Sequence, residues 1–181
     1  MSEKIIEDVI RETLIGDEQK NALDFVSYLR VNEIEIPPNK PGGDFWNAGY
    51  KGRGICVINL PAVYDDHNGF DTFINDLPHA WDNLSDGGKG DGVAGFPVHE
   101  RTKEIIWANV RPHDLTCHGK CSPGSTKMIF GKKFDNLCSS FLGIYSPDAE
   151  TVDCMKKIVG GLKSDILKNI QNAESVEEGR S

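Results

Sequence analysis

Apolar residues recur at helical spacing in two stretches near the amino terminus. The first stretch runs from Glu3 to Leu14. The second follows Gly16, a residue that commonly ends helices, and Asp17, a suitable helix cap. Each stretch places its apolar residues on one side, where they can form a buried stripe. The stripe of the second stretch consists of Ala22, Phe25, Val26 and Leu29. The pattern therefore predicts two N-terminal helices.

The centre of the chain changes to short apolar runs bounded by glycine and proline, which is typical of β-strands. The runs 45–50 and 55–60 are separated by Lys51-Gly52-Arg53-Gly54 and predict a hairpin. Because the second run is apolar on both faces, we expect it to be a central strand. Three further strands are predicted over 70–74, over 128–130 before a turn at Gly131-Lys132, and over 137–145.

Helical signals return after this region. Pro97 can begin a helix that continues to about Val110, although the same residues also fit a short helix that runs into a strand. Ser146-Pro147-Asp148 is a strong helix start, because it combines a cap, a proline and an acidic residue. The apolar spacing after it predicts a long helix to about Asn172, followed by a disordered tail over 174–181.

Helices at both ends and strands in the middle predict an α+β fold. The simplest arrangement is an antiparallel sheet with the N-terminal helices and a long C-terminal helix packed on it. The chain has 181 residues, which suits one domain, and we place that domain at 1–173. Residues 77–96 are rich in Asp, Asn, Gly and Ser and predict a long loop, a feature typical of functional or mobile segments.

The charge balance argues against two classes of partner. The net charge is −8, and no run of Lys or Arg is present. Nucleic-acid binding depends on neutralising phosphates, and anionic membranes attract basic segments, so neither partner is expected. The amino terminus has no signal-peptide pattern and no segment has the length of a membrane-spanning helix. These features predict a cytoplasmic protein.

The cysteines carry the clearest candidate chemistry. Their number, five, is odd, so they cannot all pair within one chain, and in a reducing compartment they are expected as thiols or metal-bound thiolates. Zinc takes four ligands, mostly sulfur and nitrogen, in a tetrahedron. We predict a zinc site whose ligands are Cys117, Cys121, Cys138 and one of His113 or His118.

Spacing supports this set. Cys117 and Cys121 are separated by three residues, within the range found for paired zinc ligands. Cys138 follows a predicted hairpin, which could return it to the same point. Adjacent side chains tend to point apart, so His118 is a less natural partner of Cys117, and we favour His113.

The same cysteines also have a purely structural interpretation. Free cysteine is commonly a small buried residue, so Cys138 could be part of the core while Cys117 and Cys121 lie in an exposed loop. Cys56 lies in an apolar strand and Cys154 near the start of the long helix. We predict that both of these are core residues.

Two other functions remain open. One is a small-molecule-binding domain or enzyme with an aromatic pocket beside the 77–96 loop, because pockets combine an apolar lining with a few polar groups. Its candidate residues are Phe45, Trp46, Tyr50, Trp81 and Trp107, with Arg53 and Asp82. The alternative is that these aromatics fill the core. The other function is a thiol enzyme that uses Cys117 or Cys121 with His113 or His118.

Several short motifs together resemble an uncharacterised family of small bacterial proteins. The motifs are Cys121-Ser122-Pro123-Gly124, Ile129-Phe130-Gly131-Lys132, Phe134, Asn136, Cys138 and Pro147-Asp148, with Lys103-Glu104-Ile105, Trp107-Ala108-Asn109 and the helix 22–29 upstream. The resemblance spans most of the chain. It implies a bacterial cytosolic protein and brings no activity with it.

Overall fold

The computed structural model describes residues 4–38, 45–60, 69–74, 99–112 and 124–178, and for 125, 138–141 and 176–178 it describes the backbone alone. These ranges contain four helices and six strands. In chain order they are α1 (Ile6–Thr13), α2 (Gly16–Val31), β1 (Phe45–Tyr50), β2 (Arg53–Asn59), β3 (Asp71–Ile74), α3 (Glu100–Ala108), β4 (Val110–Pro112), β5 (Ser125–Ile129), β6 (Lys132–Tyr145) and α4 (Ala149–Glu178).

The strands form one sheet in the order β1-β2-β3-β6-β4, and β5 also pairs with β6. Every strand pair among the described residues is antiparallel. Strand β6 has 14 residues and pairs with β3, β4 and β5 along its length. The predicted α+β fold, with an antiparallel sheet and a long C-terminal helix, is confirmed.

Both predicted hairpins are present, and both turn through two residues. Lys51 and Gly52 have φ values of 50° and 73°, and Phe130 and Gly131 have φ values of 48° and 78°. Two successive positive φ values define the turn whose twist matches that of the flanking strands. The first hairpin is tighter than the sequence predicted, because β2 begins at Arg53 and not at residue 55.

Helix α4 packs against α2 and against one face of the sheet, which we call the helix face. The side chains of the helix face alternate along the strands, as the two-residue period of a strand requires. They include Trp46, Ala48 and Tyr50 of β1, Cys56 and Ile58 of β2, Thr72 and Ile74 of β3, and Leu142 and Ile144 of β6. Lys163 of α4 reaches this face, with its Nζ 4.8 Å from the centre of the Tyr50 ring.

Three hydrogen bonds tie the start of α2 to the residues before β3 and α4. The backbone N–H of Phe70 donates to Glu18 Oε1 at 3.0 Å, and the N–H of Ser146 donates to the Phe70 carbonyl at 2.9 Å. The buried Asn21 donates its Nδ2 to the Pro147 carbonyl at 3.0 Å. These bonds satisfy backbone groups that would otherwise be buried without partners.

The ends of the helices correct two predictions. The sequence predicted Ser146 as the cap of α4, but Asp148 takes that position: its Oδ1 accepts the Thr151 N–H at 2.8 Å, and the hydrogen bonds from Thr151 lower the pKa of Asp148 below its ordinary value. However, α4 continues to Glu178 and does not end near Asn172, because residues 173–178 contain no glycine or proline that would end it. The segment after Pro97 takes the second of its two predicted forms, since α3 ends at Ala108 and leads into β4.

The adjacent glycines of α4 differ in what an added methyl group would meet. At Gly161 a Cβ would have nothing within 4 Å, whereas at Gly160 it would lie 2.9 Å from Tyr28 Oη. We expect Gly161→Ala to raise the free energy of unfolding by about 0.5–1 kcal/mol, because alanine favours helix over glycine. Gly160→Ala should gain less or lose stability, because Tyr28 must move. Urea unfolding of both variants tests this, and equal gains would contradict it.

Candidate functional site

A row of four side chains crosses the sheet on the face opposite the helix face. Phe45 of β1 is opposite Asn59 of β2, Asn59 is opposite Asp71 of β3, and Asp71 is opposite Tyr145 of β6. We call these four residues the Asn59 row. Neighbouring strands lie about 4.8 Å apart, so the row spans about 14 Å, a length that suits a small molecule. Its two ends are aromatic and its centre is polar.

In the Asn59 row the polar centre is more buried than the aromatic ends, which is the reverse of the usual pattern. Asn59 and Asp71 in the centre are each only 3% exposed, whereas the aromatic ends, Phe45 and Tyr145, are 45% and 43% exposed. Amide and carboxylate side chains ordinarily remain near water. The carboxamide Oδ1 of Asn59 has no hydrogen-bonding partner among the residues that the structure describes. A buried acceptor without a donor costs about 1–3 kcal/mol, so this atom is a candidate for contact with a ligand.

Arg111 of β4 lies against one end of the row. Its guanidinium carbon is 5.0 Å from the centre of the Tyr145 ring, a cation–π distance. The side chain reaches this position across Gly143, where an added Cβ would lie 2.8 Å from Arg111 Cδ and 3.2 Å from the ring of Phe73. Phe73 in turn meets the Tyr145 ring edge to face, with their centres 5.9 Å apart. Gly143 therefore leaves the space that Arg111 and Phe73 occupy beside the row.

The aromatic pocket predicted from the sequence is not assembled as one group by the residues that the structure describes. Trp46 and Tyr50 are buried on the helix face, as the core interpretation of these aromatics expected. Phe45 lies on the opposite face, in the Asn59 row. Arg53 is exposed at the start of β2. Trp81 and Asp82 lie outside the described residues.

Trp107, the remaining member of that set, holds α3 to the second hairpin. Its Nε1 donates to the Ile129 carbonyl at 2.8 Å, and Lys132 Nζ lies 5.3 Å from the centre of its ring. The same Nζ lies 5.2 Å from the ring of Phe134. These contacts give Trp107 a structural role at the turn between β5 and β6.

The predicted zinc ligands lie largely outside the described part of the chain. This applies to His113, Cys117, His118 and Cys121, while Cys138 is described in its backbone only and lies in β6. Among the side chains that the structure does describe, no three of the His, Cys, Asp or Glu type gather closely enough to hold a metal ion.

The backbone around Cys138 nevertheless bears on the predicted zinc site. Leu137, the residue before Cys138, pairs with Pro112 on one side and with Ser125 on the other. The chain therefore leaves β4 on one side of β6 and returns to β5 on the other. Because each neighbouring strand lies about 4.8 Å away, Pro112 and Ser125 are separated by roughly 10 Å across Leu137. Pro112, which precedes the His113–Cys121 segment, and Ser125, which follows it by four residues, thus flank the residue next to Cys138.

The other two cysteines are core residues, as predicted. Cys56 and Cys154 are 1% and 2% exposed. Burial raises the pKa of the Cys56 thiol to about 12 and that of the Cys154 thiol to about 11, so both stay protonated at neutral pH. Cys154 borders a cavity of about 240 Å³ between α3 and α4, and its Sγ lies 3.8 Å from the Thr102 carbonyl oxygen. A protonated thiol in this wall is a poor nucleophile.

The centre of the Asn59 row was not predicted from the sequence. Asn59 interrupts the apolar run 55–60, and Asp71 lies in a short run that was predicted only as a strand. A polar residue within a strand expected to be central was the available signal, because such strands are usually apolar on both faces. The pairing of the two residues depends on the register between β2 and β3, which the sequence does not display.

Along the described ranges, no helix is long and apolar enough to cross a membrane. Comparison with known proteins adds no functional information. The chain matches no protein-family model, no curated protein and no solved structure.

Proposed function

We propose that this protein binds a small organic molecule at the Asn59 row. The observation that carries the proposal is the buried Oδ1 of Asn59, which has no hydrogen-bonding partner among the described residues and lies directly opposite Asp71. Ligand sites combine an apolar lining with a few polar groups that fix orientation. In the row, Phe45 and Tyr145 supply the apolar part, and Asn59 and Asp71 supply the polar part.

The position of the row in the sheet supports this function. Asn59 and Asp71 lie on the paired strands β2 and β3, both of which have a neighbour on each side. The ladder on both sides fixes the backbone of these strands, and burial restricts the two side chains, so the two polar groups have little freedom before a ligand arrives. Preorganised polar groups lose little freedom on binding, which favours affinity.

Fragment screening by NMR tests the proposal. We expect small aromatic and heteroaromatic fragments to shift the side-chain amide resonances of Asn59 and the ring resonances of Tyr145 in isotopically labelled protein. Asn59→Leu should abolish the shifts of the Tyr145 ring, which remains observable in the variant, and at the same time raise the free energy of unfolding, because it removes a buried acceptor without a donor. Val57→Ala, a change of a half-buried neighbour on the same face, is the matched control and should retain binding.

The combination of lost binding and gained stability separates a ligand site from a structural role. When a polar group stabilises the fold, its removal lowers the free energy of unfolding. Functional sites, in contrast, often contain groups whose removal raises the free energy of unfolding. If Asn59→Leu destabilises the protein, or if no fragment perturbs the row, the proposed site is wrong.

A second candidate function is zinc binding by Cys117, Cys121 and Cys138 with His113 or His118. The specific observation that favours it is the pairing of Leu137 with both Pro112 and Ser125. This pairing holds both borders of the segment that carries the other ligands beside Cys138. A site closed by four protein ligands would be structural, and one that kept an open position would be suited to catalysis.

Metal analysis of the purified protein tests zinc binding. We expect about one zinc ion per chain, as a four-ligand site specifies, and its loss in Cys117→Ser and Cys138→Ser. Cys154→Ala is the control and should keep the metal, because Cys154 is buried in the core. His113→Ala and His118→Ala, compared by competition with a chelator, identify the fourth ligand. Protein without zinc after expression and refolding in its presence would contradict the prediction.

Alkylation of thiols gives an independent measurement. Cys56 and Cys154 are buried and protonated, so neither should react in the folded protein, and the measurement reports on the other three cysteines. If zinc is bound, these three should react only after a chelator is added. A thiol that reacts rapidly without chelator would favour the thiol-enzyme alternative.

A further inference from the structure

The groups at the centre and ends of the Asn59 row share one chemical property, which is that each attracts positive charge. Asp71 has a carboxylate, and Asn59 offers a carbonyl oxygen without a donor among the described residues. Phe45 and Tyr145 offer aromatic rings, whose faces carry negative potential and attract cations. We infer that the group bound at the centre of the row is an organic cation, a protonated amine. This inference rests on the proposed function.

The geometry allows one ammonium group to contact both polar side chains. Residues directly opposite each other in an antiparallel pair have their Cβ atoms about 4.5–5.5 Å apart. An ammonium nitrogen between Asn59 and Asp71 can therefore donate to Oδ1 of the first and to the carboxylate of the second. A carboxylate accepts up to about four hydrogen bonds, so Asp71 can take this donor in addition to its contacts within the chain.

The position of Arg111 indicates which part of the Asn59 row would hold the cationic group of the ligand. The Tyr145 ring already has the Arg111 guanidinium 5.0 Å from its centre, so a cation of the chain itself occupies this end of the row. The same guanidinium would repel a second positive charge placed on it. Because β4 lies beyond β6 in the sheet, Arg111 approaches from the side away from Asp71. The ligand's cation is therefore expected at the Asn59–Asp71 pair, on the side nearer Phe45.

Burial strengthens the selectivity for a cation. Asn59 and Asp71 are each 3% exposed, and charge interactions are stronger where water is excluded. An amine pays a desolvation penalty on entering, and a carboxylate with a carbonyl oxygen and aromatic rings is the environment that compensates for it. A neutral alcohol of the same shape would leave Asp71 without an ionic partner from the ligand, and an anion would be repelled by it.

Three probes of the same size and different charge test the inference. They are phenethylamine (a cation), 2-phenylethanol (neutral) and phenylacetate (an anion), titrated at neutral pH into labelled protein and followed by the Asn59 amide and Tyr145 ring resonances. We expect phenethylamine to bind at least about tenfold more tightly than 2-phenylethanol, and phenylacetate to be the weakest at the Asn59–Asp71 pair. Asp71→Asn should remove the preference for the amine while the neutral probe still binds.

The outcomes separate this inference from the proposed function. If the alcohol binds at the row as tightly as the amine, or if Asp71→Asn keeps the preference, the cation inference is overturned and the ligand site stands. If phenylacetate binds most tightly, the inference is overturned and Arg111 becomes the group that selects the ligand. If none of the three probes perturbs the row, the inference is overturned, and the fragment screen then decides whether the site itself survives.

Discussion

Truncation of Phe70 to alanine is expected to lower the free energy of unfolding by about 3–5 kcal/mol, the range for removal of a large buried aromatic side chain. Phe70 is completely buried, and its ring centre lies 6.0 Å from that of Phe25 in α2. It sits where α2, β3 and the start of α4 meet, and its own backbone makes two of the hydrogen bonds there. The cavity left by its ring would weaken the packing between all three elements.

Chemical denaturation of Phe70→Ala and Phe45→Ala measures this effect against a matched control. Phe45 undergoes the same chemical change, but its side chain is 45% exposed and less apolar area is lost from the interior. We therefore expect less than half the loss of stability at Phe45. A similar loss in the two variants would show that Phe70 is not part of a packed core.

Replacement of Thr72 by valine is expected to raise the free energy of unfolding by about 1–3 kcal/mol, the cost of a buried polar group left without a partner. Thr72 lies on the helix face of β3 and is completely buried. Its Oγ1 has no hydrogen-bonding partner among the described residues. Valine has nearly the same shape and favours strands, so the change removes a desolvated hydroxyl without opening a cavity.

The same substitution at Thr13 is the matched control. Thr13 Oγ1 donates to the Val9 carbonyl at 2.7 Å, so Thr13→Val breaks a hydrogen bond and is expected to lower stability by about 0.5–1.5 kcal/mol. Opposite signs for the two threonine-to-valine changes are the diagnostic result in urea unfolding. A destabilised Thr72→Val variant would mean that the Thr72 hydroxyl has a partner in solution, such as a buried water.

Local patterns were sufficient to predict most elements. The helical spacing around Phe25 in α2 and the glycine turn after Tyr50 are signals that a few neighbouring residues generate, and both predictions are confirmed. The long strand β6 was only partly predicted, because its first half contains Lys132, Lys133 and Asp135. These residues are extended because β5 pairs with them, and pairing between strands can override the preference of a single segment.

The candidate site could not be predicted from the sequence, because it also depends on pairing between strands. Asn59 and Asp71 belong to different strands, and nothing in either segment specifies the register that places them opposite each other. The zinc prediction stays a prediction, because four of its candidate ligands lie outside the described residues. Short-range spacing of cysteine and histidine is visible in a sequence, whereas a pair formed across two strands becomes visible only in the fold.

The pairing of β6 also has a consequence for the order of folding. Hairpins β1–β2 and β5–β6 join residues that are close in the chain, so each can form early. The β3–β6 ladder instead joins Asp71 to Tyr145, and closing so long a loop costs entropy before the contacts compensate for it. Completion of this ladder is therefore the step expected to limit the folding rate. The Asn59 row comes into being at that step, because Asp71 and Tyr145 are the two residues that it brings together.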